Sequence, residues 1–235
     1  MPRIPIIEEL TKEPIPPGSN LLVEFDPASQ WYNASLTIAA GWINTGGKVD
    51  YNVSFEPPNV LRSQFMRLGL KVEEAELDGR LTIDDFYTVT LGKKSSERVA
   101  RQTLKVSEMS IEWSRILTGP QTPGLLRIVD TVSTLSRYNE DKAWVEFCIT
   151  RSLARSPVVK ATWLAGITKG LHEPWVYKQL ESAHDGIIDF DLDTSGDEPR
   201  NMIRIRTLRN AHFDGRWHQL KIGKNFEATL EESPS

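Results

Sequence analysis

The apolar runs of this sequence end on residues of types that do chemistry. Glu24 and Asp26 close "LLVEFD", Glu56 follows "YNVSF", Asp84 and Asp85 close "LTIDD", Asp130 ends "LLRIVD", and Thr168 and Lys169 end "WLAGITK". Carboxylates brought to one place bind divalent cations or take protons as general bases. Asp130 is the candidate metal ligand and Glu56 the candidate general base. Each has a plainer alternative: Asp130 as a cap on the turn after its strand, Glu56 as a pairing residue ahead of two prolines. His172, His184, His212 and His218 lack a metal-ligand spacing such as HExxH and read as packing or surface residues. Cys148, the single cysteine, lies in an apolar helical stretch and reads as a buried thiol.

These residues meet only if the runs that carry them are strands of one sheet. In a parallel α/β sheet, ligands bind outside the carboxyl ends of the strands, which is where the residues fall. The stretch "LLVEFDPASQWYNASLTIAAGWI" reads as a buried strand, a tight turn and a helix, with Leu36, Ala39, Ala40 and Ile43 at helical spacing and "NTGG" as its stop. A strand over residues 51–55 follows, then two prolines that forbid its continuation, then a helix over residues 59–68 ending at Gly69. "GRLTIDDFYTV" holds a third strand. Residues 92–124 run from polar through amphipathic to turn-rich and carry no clear pattern. Beyond them come the strand "LLRIVD", the helix "NEDKAWVEFCITRSLARS", the strand "VVKATWLAGI", the helix "EPWVYKQLESAHD", and three closing strands in "GIIDFDL", "NMIRIRTLR" and "RWHQLKI". Strands with continuous apolar character alternating with helices predict a single α/β domain over residues 1–235 with a mainly parallel central sheet. Residues 1–13 read as a lead-in segment and 226–235 as a flexible tail.

Composition narrows the function classes. A chain of 235 residues with 39% hydrophobic and 26% charged residues is ordinary for a globular domain. No apolar run approaches the roughly 20 residues of a membrane span, so no membrane partner is expected. "MPRIPIIEEL" has no secretion-signal core, and one cysteine makes no internal disulfide, so the expectation is a cytoplasmic protein. A net charge of −4 speaks against nucleic-acid binding driven by overall charge. Locally, Arg204, Arg206, Arg209, Arg216, Lys221 and Lys224 crowd a late hairpin with Phe213 and Trp217 between them, a composition that suits a nucleic-acid strand or an acidic partner surface; a solvated strand face paired with the chain's own carboxylates, or a protein contact, is expected ahead of nucleic acid.

The order and spacing of these segments resembles the RecA superfamily, and within it the KaiC-like branch of archaeal type. "IEELTKEPIPPGSNLLVEFDP" is similar to the family's lead-in helix, "IPxGS" turn and first strand. "YNVSFEPPNVLRSQFMRLGL" is similar to its second strand, acidic turn and helix, "LLRIVDTVSTL" to its Walker B strand, and "IRIRTLRNAHFDGRWHQLKI" to its late hairpin. The resemblance spans residues 7–222 and implies a three-layer P-loop NTPase fold with a mainly parallel central sheet and a C-terminal β-hairpin. It also implies a nucleotide at the first turn, and here the sequence departs from the family. Laid on GxxxxGK[ST], Phe25 and Gln30 stand at the two glycines, Trp31 at the lysine and Tyr32 at the magnesium-binding hydroxyl. Pro27 removes an amide donor. Pro57 stands where the acidic turn has its second glutamate, and Thr207 stands where the hairpin has its lysine, leaving Arg209. Glu24, Asp26, Glu56 and Asp130 are expected to cluster negative charge where a triphosphate lies.

The resemblance with its departures implies a degenerate pseudo-ATPase. It would act as a regulatory or scaffolding subunit, assembling with itself or with related RecA/KaiC-like proteins. No cofactor is expected, and ATP with magnesium belongs here only if the altered turn still functions. The remaining readings are a RecA- or RadA-like accessory that binds nucleic acid through the basic hairpin, and an ATPase with a non-standard nucleotide site.

Overall fold

A computed structural model describes residues 3–117, 124–153 and 160–231. Among the described residues ten strands form one sheet: β1 (Asn20–Phe25), β2 (Lys48–Val53), β3 (Leu81–Asp85), β4 (Val99–Ala100), β5 (Leu125–Val129), β6 (Thr162–Thr168), β7 (Gly186–Asp193), β8 (Arg200–Leu208), β9 (His218–Ile222) and β10 (Ala228–Leu230). Their spatial order is β10-β9-β8-β7-β1-β6-β5-β2-β3-β4. Every pairing from β7 through β1 to β4 is parallel, and β7 to β10 continue antiparallel. All six residues of β1 are buried, which the central place between β6 and β7 requires.

Helices cover both faces. Leu36 and Ile38 of α1 (Trp31–Asn44), Leu61 and Phe65 of α2 (Pro58–Arg67) and Ala75 of α3 (Val72–Leu77) share one core with Val23, Tyr51, Ile128 and Leu164. After the short α4 (Tyr87–Thr90), the opposite core joins Met109 of α5 (Val106–Leu117), Trp144 of α6 (Asp141–Phe147) and Leu180 of α7 (Pro174–Ala183) to Leu22, Val129, Trp163 and Ala165. Leu22 and Val23 thus serve opposite layers, as alternation along a strand demands. Each fully buried aliphatic side chain contributes about 1.5–3 kcal/mol of transfer free energy, so the two cores together specify the three-layer arrangement. Pro58 and Pro174 occupy first-turn positions of their helices, where no amide donor is needed. Gly69, at φ 79°, ends the α2 segment in the left-handed region.

The expected strand and helix order is present, with differences in extent. The helix expected over residues 139–156 is α6 followed by a wider turn over Cys148–Leu153, and residues 154–156 lie outside the described part. The strand expected over residues 158–167 begins at Thr162, with 158 and 159 outside the described part. Within the segment read as a tail, β10 pairs with β9, and Ala228 is buried with its amide donating to Thr37 Oγ1 at 2.9 Å. Residues 232–235 are outside the described part. Among the described residues no helix is long and apolar enough to cross a membrane.

Candidate functional site at the carboxyl ends of the central strands

The turn 26–30 joins β1 to α1 at the sheet's carboxyl edge. Asp26 organises it: its backbone carbonyl accepts from Ser29 N at 2.9 Å and Ser29 Oγ at 2.7 Å, and Oδ1 accepts from Ala28 N at 2.7 Å. Trp31 then opens α1 with its indole turned inward. It is 1% exposed, donates from Nε1 to the Asp130 carbonyl at 2.8 Å, and packs on Phe190 and Phe25 with ring centroids 5.3 and 6.4 Å apart. Gly166 on β6 makes the room. A Cβ there would collide with the Asp130 carbonyl oxygen and sit 2.7 Å from Trp31 Nε1.

Tyr32 donates its hydroxyl to the Glu56 carboxylate. Burial, with the neighbouring Tyr51, Glu56 and Asp130, pushes the Tyr32 hydroxyl far above its ordinary value. Glu56 is also raised by burial, with the tyrosine bond pulling the other way. Phe55 stands edge-on to Phe25 at 6.0 Å and to Tyr32 at 5.8 Å, and is 41% exposed. Phe25, Trp31, Tyr32, Phe55 and Phe190 therefore form a continuous aromatic cluster over the ends of β1, β2 and β7.

Asp130 is fully buried beneath this cluster. Its Oδ2 accepts from Ser54 N at 2.6 Å and Phe55 N at 2.9 Å, and Oδ1 accepts from Thr131 N at 2.6 Å. Burial pushes its carboxyl up to about 7 against the pull of those amides. Both oxygens are thus engaged in tying the end of β5 to the turn after β2. Among the described residues no three His, Cys, Asp or Glu side chains are grouped to hold a metal.

The expected four-carboxylate cluster does not form. Glu24 alternates with Phe25 onto the opposite face of the sheet, where its Oε2 accepts from Arg206 Nη2 at 2.6 Å. Arg206 also bonds Asp189 and Glu181, and Arg204 donates to Asp189 at 2.8 Å while lying 4.4 Å over the Trp217 ring. Asp189 is held below the ordinary carboxylate range by these arginines despite its burial. Arg209 reaches the Ser182 carbonyl at 3.2 Å, Arg216 pairs with Asp214 at 2.7 Å and Lys221 with Glu231 at 2.5 Å. Asp84 is buried against Arg101, with burial lifting its carboxyl to about 6, and Asp85 accepts from Thr88 N and Ser95 Oγ.

Sequence reasoning missed one group beside the site. His172 Nε2 lies 2.8 Å from Ser133 Oγ, which also accepts from Thr168 N at 3.1 Å. Tyr177 donates to the Thr168 carbonyl at 2.7 Å and accepts from the amides of Leu171 and His172. This network fixes the loop between β6 and α7. No spacing in the sequence signals it, because Ser133 and His172 follow different strands.

No family model matches this sequence, and no curated protein matches it. Among solved structures, a KaiC-like protein from the hyperthermophilic archaeon Pyrococcus horikoshii superposes with a TM-score of 0.73 at 16% identity, covering 98% of this chain and 97% of that one. The flagellar accessory protein FlaH of Methanocaldococcus jannaschii superposes with a TM-score of 0.74 at 15% identity, covering 99% of this chain and 100% of that one. Over nearly its whole length, the chain has the three-layer RecA-like fold of KaiC-like proteins.

Proposed function

We propose that this protein is a catalytically degenerate RecA-fold subunit that works by assembly rather than by nucleotide turnover. The carrying observation is the inward indole of Trp31, which with Phe25, Tyr32 and Phe55 fills the space a phosphate cradle leaves open. A P-loop holds phosphate with glycine backbone amides, a lysine ammonium and a magnesium-binding hydroxyl. Here the lysine position is a buried ring, and the hydroxyl position is a tyrosine spent on Glu56. Asp130 has no oxygen free of backbone donors. ATP and magnesium do not fit these residues.

The surface left by this rebuilding is mixed. Phe55 is exposed beside Glu56, while Trp217, 38% exposed, and Arg216 lie on the hairpin. The assembly we propose sets the acidic-aromatic edge of one subunit against the hairpin of a second copy or of a related RecA/KaiC-like protein. Exposed ion pairs contribute about 0–1 kcal/mol each, so buried aromatic anchors must carry the contact. The hairpin arginines already have acceptors within the chain, which disfavours the nucleic-acid reading. Two measurements test the proposal: calorimetric titration with magnesium ATP, and sedimentation across a concentration series with and without host extract. Micromolar ATP binding overturns the degenerate site. A monomer at every concentration that recovers no RecA-fold partner overturns the assembly role.

A further inference from the structure

We propose that an internal cavity between the sheet and the α5–α7 layer is a binding site for a small neutral molecule with an apolar body and one hydrogen-bond acceptor. The cavity measures about 40 Å³. Its floor is a single level of four adjacent strands, on which Asn52, Val129, Ala165 and Leu22 follow one another in register from β2 to β1. Side chains of the opposite core, among them Leu135 and Phe147, line its other wall.

One group in this apolar enclosure is out of keeping with it. Asn52 is 1% exposed, and its amide Nδ2 has no hydrogen-bond partner. A buried donor without a partner costs about 1–3 kcal/mol, so the position is unfavourable unless something accepts its proton. On the far side of Asn52 the same level continues to Asp84 of β3, whose two carboxylate oxygens are both engaged by Arg101 and are not bonded to the Asn52 amide, while Phe86, Met109 and Val129 offer no polar side chain. His184 also lines the cavity; its Nδ1 donates to the Leu180 carbonyl at 2.6 Å, so the neutral ring keeps Nε2 as an acceptor, which is not bonded to the Asn52 amide. A water there would have the Asn52 donor and at most the His184 acceptor, where buried waters make about three bonds. A carbonyl compound would satisfy the amide with its oxygen and the aliphatic walls with its carbons. About 10–15 Å³ is needed for each water-sized centre, so the volume suits a guest of a few heavy atoms. This site is independent of the proposed assembly role, because it lies on the other side of the sheet from Trp31.

The test is NMR titration of the full chain with a matched pair of small probes, acetone and isobutane, following the Asn52 side-chain amide and the methyl groups of Leu22, Val129 and Leu135. In the wild type both probes shift these methyls saturably, and only the ketone shifts the Asn52 amide. Asn52→Leu weakens the ketone about tenfold and leaves the hydrocarbon unchanged or tighter. Ala165→Val, which narrows the floor, weakens both. Thermal melts of each variant establish that it is folded, and Asn52→Ser serves as the second amide deletion if the leucine does not fit. The proposal is overturned if neither probe saturates, if the ketone is indifferent to loss of the amide in a folded variant, or if only water is detected at Asn52.

Discussion

The indole nitrogen of Trp31, the first residue of α1, donates to the backbone carbonyl of Asp130, the residue after β5, across 2.8 Å. The two are 99 positions apart in the chain and follow β1 and β5, which β6 separates. Their bond passes over Gly166 of β6, whose missing side chain is what allows it. The indole thus ties the start of α1 to the residue after β5.

Trp31→Ala is accordingly expected to cost about 3–5 kcal/mol, the range for deleting a large buried aromatic. Trp31→Phe keeps most of the packing but leaves the Asp130 carbonyl without its donor, and is expected to cost about 1–3 kcal/mol. Urea denaturation of the two variants checks both values. Equal, near-zero effects would mean that the ring is not part of the core.

Asp130→Asn tests whether the carboxylate is a turn tie. The amide can accept through one oxygen only, so its NH₂ group faces either the Thr131 donor or the Ser54 and Phe55 donors. A loss of about 2–4 kcal/mol is expected, combining a broken network with a donor facing a donor. The loss should be the same with and without magnesium, as read by melting midpoints in EDTA and in magnesium chloride.

His184 carries a pH dependence of definite sign. Burial lowers its pKa to about 4, so the folded state prefers the neutral ring. The stability this contributes is present above the ordinary histidine value and is lost as pH falls from about 6.5 to about 4, by about 3 kcal/mol in all. Asp130, raised to about 7, acts oppositely in this window: its contribution is full at low pH and is lost as pH rises from about 4 to about 7. The wild-type profile is therefore flattened. In His184→Gln, stability should rise relative to wild type as the solution is acidified from pH 6.5 to pH 4, measured by denaturant titration at each pH.

Arg206 and Arg216 look alike in the sequence and should behave differently. Arg206→Leu strands the buried carboxylate of Glu24 and leaves Asp189 with Arg204 and Lys169 alone, and is expected to cost about 3 kcal/mol. Arg216 is 79% exposed at its side chain, and Arg216→Ala should leave the melting midpoint unchanged. Parallel thermal melts decide the matter, and a similar loss in both would mean that the hairpin charges are organised otherwise.

The alternation of buried strands and helices, the breaks at Pro57, Pro58 and Gly69, and the placing of Glu56 and Asp130 at strand ends were all legible in the sequence. They follow from local causes: apolar periodicity, the fixed φ of proline and the freedom of glycine. What a side chain at a strand end bonds to depends instead on which strands become neighbours and on which face it emerges. Sequence order does not supply the neighbours, since β1 lies between β6 and β7. Thus Glu24 read as part of a carboxylate cluster, while the sheet turned it toward Arg206, 182 residues away. Likewise Ser133 and His172 met only because β5 and β6 pair, and residues 228–230, too short a run to announce a strand, became β10 only because β9 offered them an edge.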